Sequence, residues 1–232
     1  MTRKVRLLAR LLARARAMQF HYLLASLILL LVIYPYVVAG PAGPVALKVL
    51  SSIILITGVY AVSYRRRQIV IAVLLGIPAF VFGWLHVITG VPALDKAESV
   101  FTLLFYAFTA LIVLSRVLTT RRITTDTIYG AVSVYLLIGL TWATAYGLIE
   151  SINPGSFSAE SGHNPDGTFT FPDFIYFSFV TLATLGYGDI TPVTDQARSL
   201  ALLEAVSGTI YIAVLIARLV AALGWSPEAD GE

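Results

Sequence analysis

The sequence predicts an all-α membrane protein whose chain crosses the bilayer six times and dips into it once more through a short helix. Three observations predict this. Of 232 residues, 58% are hydrophobic and 12% are charged, about half the charged share of a soluble domain. The mean hydropathy is +0.84. The apolar residues also come in blocks of about 20, the length that carries a helix across the hydrocarbon core.

The same composition narrows the chemistry. The chain has no cysteine, which removes disulfides and thiolate metal sites. His21, His86 and His163 do not cluster at metal-ligand spacing. No phosphate-binding glycine-rich motif occurs. No enzyme activity, nucleic-acid partner or organic cofactor is expected.

The elements follow in order. Residues 1–19 form a basic amphipathic segment, with Leu7, Leu8, Leu11 and Leu12 at helical spacing among six Lys and Arg residues. It reads either as an interfacial helix on anionic lipid headgroups or as a plain topology signal. The first apolar block, 20–39, exceeds the roughly 7–15 residues of a signal-peptide core and is read as a retained span. Further spans are expected at 45–64, 69–89 and 99–118. Pro41-Ala42-Gly43-Pro44 and Arg65–Arg67 make the tight turns, and Gly90 to Glu98 is the connection before the fourth span. Residues 20–118 thus form a four-helix domain, joined through a linker at 119–126 to a second domain at 127–221. That domain has a fifth span at 127–149, a polar stretch at 150–169, a short apolar helix at 171–184 and a sixth span at 196–220. An acidic tail, 222–232, is expected to be disordered.

With six spans, the basic amino-terminal segment, Arg65–Arg67, Arg116, Arg121, Arg122 and Arg218 share one side. Lys48, Lys96 and Arg198 fall on the other. The richer side should be cytoplasmic, placing both termini inside. Asp95, Glu98, Glu150, Glu160, Asp166, Asp173, Asp189 and Asp195 then lie outside. Some of them raise the local cation concentration there, or they serve ordinary loop solubility. The absence of an Asn-x-Ser/Thr sequon is compatible with a prokaryotic plasma membrane.

Between the short helix and the sixth span stands Thr184-Leu185-Gly186-Tyr187-Gly188-Asp189. A strand of L-residues points successive carbonyls to opposite sides. Glycines that accept φ > 0, two residues apart, let the carbonyls face one side and replace the water around a cation. Thr170-Phe171-Pro172-Asp173 opens the preceding helix, with Thr and Asp at capping-box spacing and Pro in the first turn. Its carboxyl end would aim a partial negative charge at that cation.

These six residues resemble the selectivity-filter signature Thr-Val-Gly-Tyr-Gly-Asp of tetrameric potassium channels. Residues 128–221 resemble that family's two-helix pore module. The resemblance implies a re-entrant pore helix and filter in each subunit and a homotetramer around one pore. It implies K⁺ ions held by the carbonyls of Thr184, Leu185, Gly186 and Tyr187, with the Thr184 hydroxyl at the innermost site and Gly188 above. Leu185 replaces the family's Val, which changes the packing behind the filter. Tyr176 and Phe177 fall where relatives place aromatics that brace the filter tyrosine, and Tyr176 is placed to bond Asp189. Val180 stands where some bacterial relatives keep a carboxyl. Gly208, 19 residues after Asp189, occupies the position of an inner-helix hinge or of a close-packing glycine. Thr209, Ile212, Ile216 and Val220 share one helix face and line the cavity, with Ile216 and Val220 as a gate that closes by dewetting. Glu204, about 140° round the helix from Thr209, points toward the pore helix. An intramembrane carboxyl is a functional candidate or a structural hydrogen bond to a pore-helix Thr or Tyr.

Six spans with such a motif before the last also resemble the voltage-gated superfamily. Its fourth span carries Arg or Lys at every third position. Here that series upstream of Arg122 reads Thr119, Arg116, Val113, Ala110, Ala107 and Leu104. The four-helix domain therefore keeps the layout of a voltage sensor without its charges. Trp84 and His86 read as interfacial residues. The function implied is passive, K⁺-selective conduction, not conventionally voltage-gated. A secondary transporter would show inverted repeats and midplane coupling acids. A non-conducting regulatory subunit would not need an intact filter.

Overall fold

The computed structural model describes residues 19–37, 40, 42–120, 123–159 and 168–223. The basic amino-terminal segment, Arg121, Arg122, Glu160, Asp166 and the tail from Gly224 lie outside the described residues. The elements are α1 (Gln19–Val37), α2 (Gly43–Ala61), α3 (Arg66–Thr89), α4 (Pro92–Thr119), α5 (Thr125–Ile152), β1 (Phe157–Ala159), α6 (Phe171–Leu182), β2 (Ile190–Pro192) and α7 (Asp195–Leu223). Six of these helices are long and apolar enough to cross a membrane, and α6 is the short seventh. The chain is an integral membrane protein.

Two expectations are corrected. The fourth span was expected from residue 99, yet α4 begins at Pro92, so Asp95 and Glu98 lie inside the helix. Gly90 ends α3 in the left-handed conformation at φ 68, and Val91 is extended. Pro92 then starts the next helix at once, where its missing N–H costs nothing. The stretch expected to be merely polar, 150–169, contains β1, which pairs antiparallel with β2 in the register Phe157↔Pro192, Ser158↔Thr191, Ala159↔Ile190. Glu150 shapes the approach to β1 by accepting from Gly155 N at 2.8 Å and Phe157 N at 3.2 Å.

Helices α1 to α4 form one bundle around the fully buried Leu23, Leu27, Ile54, Phe105 and Tyr106. Several polar atoms inside it find partners across helices, as low-dielectric surroundings favour, while the buried Thr109 Oγ1 makes no hydrogen bond among the described residues. Ser26 Oγ meets Thr57 Oγ1 at 2.8 Å. Trp84 Nε1 donates to Ser52 Oγ at 3.2 Å. Lys48 of α2 forms an ion pair with Glu98 of α4. At the other end of α4, the Arg116 guanidinium lies 3.4 Å from the centroid of the Tyr64 ring, a cation–π contact.

Among the described residues this bundle is fastened to the second domain at several places. Helix α4 packs along α5. Phe20 N donates to Asp126 Oδ1 at 3.2 Å. Arg218, near the end of α7, donates from Nε to Leu118 O at 3.1 Å and from Nη2 to Thr120 O at 2.5 Å. The last contact satisfies carbonyls that the end of α4 leaves without helical partners.

Candidate functional site: the Thr184–Asp189 segment

Helix α6 places the segment. Asp173 reaches back to accept from Thr170 N and Thr170 Oγ1, both at 2.7 Å, fixing the helix start. Phe174, Ile175, Phe177, Ser178, Val180 and Leu182 are buried. At the far end Ala183 N, Thr184 N and Leu185 N donate to the carbonyls of Phe179 (3.0 Å), Thr181 (2.9 Å) and Val180 (2.9 Å). The chain leaves the helix latched to its last turn.

Beyond that latch the backbone alternates in handedness. Thr184, Gly186 and Gly188 have φ of 58, 57 and 80, while Leu185 and Tyr187 between them stay at negative φ. Left- and right-handed residues in alternation turn successive peptide planes to a common side, as a carbonyl ladder for a cation requires. The glycines adopt this at no steric cost. Thr184 does not: a β-branched residue at positive φ is an outlier and costs on the order of 1–3 kcal/mol. Only the glycines were legible as left-handed, because nothing in a threonine announces such a conformation.

The segment is open to the outside of the protomer. Residues 183–188 are all exposed, Leu185 at 57% and Tyr187 at 67%. Its outer end is tied down. The Tyr176 hydroxyl donates to Asp189 Oδ2 at 2.7 Å. β2 follows immediately and pairs with β1. Phe177 faces away from the segment, with ring centroids 5.0 Å from Tyr146 and 5.4 Å from Phe157. Neighbours on a helix point about 100° apart, so with Tyr176 turned to the segment Phe177 joins the core.

Helix α7 passes Gly208 unbroken. Gly208 is buried, and a Cβ there would lie 2.7 Å from Leu182 O. Close approach to α6 is thus sufficient reason for a glycine. Thr209, Ile212, Ile216 and Val220 are all exposed on the protomer, and Tyr211 turns inward to donate to Ala131 O at 2.5 Å.

Comparison with known proteins bears on this geometry. Residues 134–224, from α5 through α7, match a family model described as "Ion channel". Protein LctB of Bacillus caldotenax is 32% identical over 106 residues, 45% of this chain and 78% of that protein. Two pore potassium channel c of Oryza sativa subsp. japonica is 34% identical over 86 residues, 37% of this chain and 16% of that protein. The inward rectifier potassium channel Kirbac3.1 of Paramagnetospirillum magnetotacticum is 34% identical over 85 residues, 35% of this chain and 24% of that protein. The chain belongs to the potassium channel superfamily. It spans most of LctB but under a quarter of the length of those two potassium channels. No solved structure matches significantly.

Within this superfamily member, Glu204 sits fully buried where α5, α6 and α7 meet. Ser178 Oγ lies 2.5 Å from its Oε1, and the Tyr146 hydroxyl lies 2.5 Å from its Oε2. It faces α6, and its partner there is a serine rather than the expected Thr or Tyr. Trp142 Nε1 donates to Ser207 Oγ at 3.2 Å nearby. Ser178, Tyr146, Trp142 and Tyr211 went unmarked in the sequence. Their signal was available, since a polar atom in an apolar span needs a partner, but one sequence does not say which partner.

Proposed function

We propose that four copies of the chain surround a central pore and conduct K⁺ passively and selectively. The single observation that carries the proposal is the alternation of left-handed φ at Thr184, Gly186 and Gly188 on an edge that the protomer leaves open. K⁺ is the cargo. The carbonyls of Thr184, Leu185, Gly186 and Tyr187 and the Thr184 hydroxyl supply neutral oxygens, which suit a monovalent cation that must bind without being trapped. The names of two matched relatives as potassium channels support the choice of ion. Thr209, Ile212, Ile216 and Val220 line the inner cavity in this reading, and Gly208 sets how closely α7 lies on the pore helix. Residues 20–118 serve assembly and lipid contact rather than voltage sensing. Both termini are cytoplasmic, with the basic amino-terminal segment on anionic lipid, in the plasma membrane of a prokaryote.

Reversal potentials of the purified protein in planar bilayers test this under bi-ionic K⁺/Na⁺ conditions. A reversal far from zero at equal concentrations, in the direction of K⁺ permeation, is expected. A reversal near zero would overturn K⁺ selectivity, and the absence of unitary currents would favour a transporter or a non-conducting subunit.

A further inference from the structure

The buried contacts around Glu204 close with one proton for each oxygen pair when the acid is protonated. Three oxygen pairs lie at hydrogen-bond distance: Ser178 Oγ to Gly139 O at 2.7 Å, Ser178 Oγ to Glu204 Oε1 at 2.5 Å, and Tyr146 Oη to Glu204 Oε2 at 2.5 Å. Unless the Ser178 hydroxyl is shared between two acceptors, each pair needs one proton between its oxygens. The Gly139 carbonyl supplies none, and the two hydroxyls supply one each. The third proton belongs to Glu204. The relay that satisfies every pair runs from the Glu204 carboxyl to Ser178 Oγ and from the Ser178 hydroxyl to Gly139 O. The Tyr146 hydroxyl donates to the remaining carboxyl oxygen.

The position of this relay gives it a role. Glu204 and Gly208 are four residues apart on α7, and their partners Ser178 and Leu182 are four apart on α6. The two helices thus touch at two levels one turn apart, and Leu182 stands two residues before Thr184. We propose that Glu204 is a positioning residue for the filter. It acts as a neutral hydrogen-bonding clamp that binds the inner helix to the pore helix and to α5, so that displacement of α7 reaches Thr184. The role in conduction rests on the function proposed above; the proton on Glu204 does not.

The test joins a spectroscopic and an electrical measurement on the full-length protein. Infrared difference spectra of wild type against Glu204→Gln, in H₂O and D₂O, should show the carbonyl stretch of a protonated carboxylic acid in wild type alone, shifted by deuteration. Loss of carboxylate bands instead would overturn the clamp. In single-channel records Glu204→Gln should retain wild-type open bursts and K⁺/Na⁺ permeability, because an amide donates to Ser178 and accepts from Tyr146 in the same geometry. Glu204→Ala and Ser178→Ala should each shorten bursts by about tenfold, the scale of one buried hydrogen bond, and the double variant should fall short of the product of the two losses, because the bond between them is lost only once. Additive losses, wild-type bursts in Glu204→Ala, or a Gln variant as impaired as Ala would overturn the proposal. If the Ala variants do not assemble, the Gln variant and the infrared bands still decide it. A wild type without K⁺-selective current would defeat the conduction reading while leaving the infrared result to stand.

Discussion

At position 208 one added carbon atom would lie 2.7 Å from the backbone oxygen of Leu182. A backbone oxygen cannot rotate away, so Gly208→Ala must push α7 off α6. Alanine is the better helix former by about 1 kcal/mol, and overpacking costs roughly 1–3 kcal/mol; packing wins. The thermal unfolding midpoint in detergent should fall for Gly208→Ala. It should hold or rise for Gly147→Ala, whose Cβ meets Phe174 at an ordinary 3.5 Å. Equal midpoints for the two variants would show that α7 does not touch α6 this closely. The Tyr176–Asp189 bond gives a second residue-level expectation. Tyr176→Phe deletes the donor at 2.7 Å and changes little else, leaving the filter's outer end with one tether fewer. Hydrogen bonds to charged groups contribute about 1.5–3 kcal/mol, less where water reaches them. Single-channel open probability should therefore drop several-fold without change in unitary conductance, and wild-type gating in this variant would remove Tyr176 from the filter's support.

Two side-chain pairs bear on what the first four spans do. Lys48 on α2 and Glu98 on α4 form an ion pair with side chains only 21% and 12% exposed. Removing one partner strands the other, a loss of up to about 3–5 kcal/mol for a fully buried pair and less at this exposure. Lys48→Met and Glu98→Leu should each lower the detergent unfolding midpoint, and together they should recover much of the loss; simple additivity would mean that the pair does not hold α2 to α4. Arg116 is engaged with Tyr64, and residues 104, 107, 110 and 113 of its every-third series are uncharged. One charge moved through 100 mV is worth about 2.3 kcal/mol, too little for steep gating. The conductance–voltage curve in symmetric K⁺ should be shallow and unaltered in Arg116→Gln and Arg122→Gln. A gating charge of several elementary charges, lost in those variants, would make the bundle a voltage sensor after all. These helices were legible in the sequence because apolar length is a one-dimensional signal. The start of α4 was not, because Asp95, Lys96 and Glu98 read as a polar connection when Lys48, the partner of Glu98, lies fifty residues earlier. Likewise Gly186 and Gly188 were legible by residue type as left-handed positions, whereas the left-handed Thr184 and the Ser178–Glu204 pairing exist only once helices are placed against one another.

For the whole molecule the telling feature is irregular backbone left exposed on the protomer between the short apolar helix α6 and the long apolar helix α7. Residues 183–188 leave the helical ladder and are exposed on the protomer. Such backbone is tolerated within a bilayer only where protein covers it or where it lines water, so in the proposed pore a neighbouring copy or water, not lipid, is expected against it. Helix α7 points the same way. Only 17% of its most apolar stretch is buried within the protomer, against 44% for α5, and its exposed residues include the expected cavity face as well as Leu202, Val206 and Ile210. One chain offers one carbonyl ladder, and a desolvated ion needs oxygens on every side. Closed cyclic symmetry repeats that ladder around an axis and covers the open edge with a neighbour. Four copies are expected, as in the tetrameric channels that the Thr184–Asp189 segment resembles. Native mass spectrometry of the detergent-solubilised protein should therefore return a tetramer. Tyr187→Ala, which removes a side chain 67% exposed on the protomer and so available to a neighbour, should weaken that tetramer and abolish selectivity together. A stable monomer or dimer that conducts K⁺, or a Tyr187→Ala protein that keeps both assembly and selectivity, would contradict a pore built at the junction of subunits.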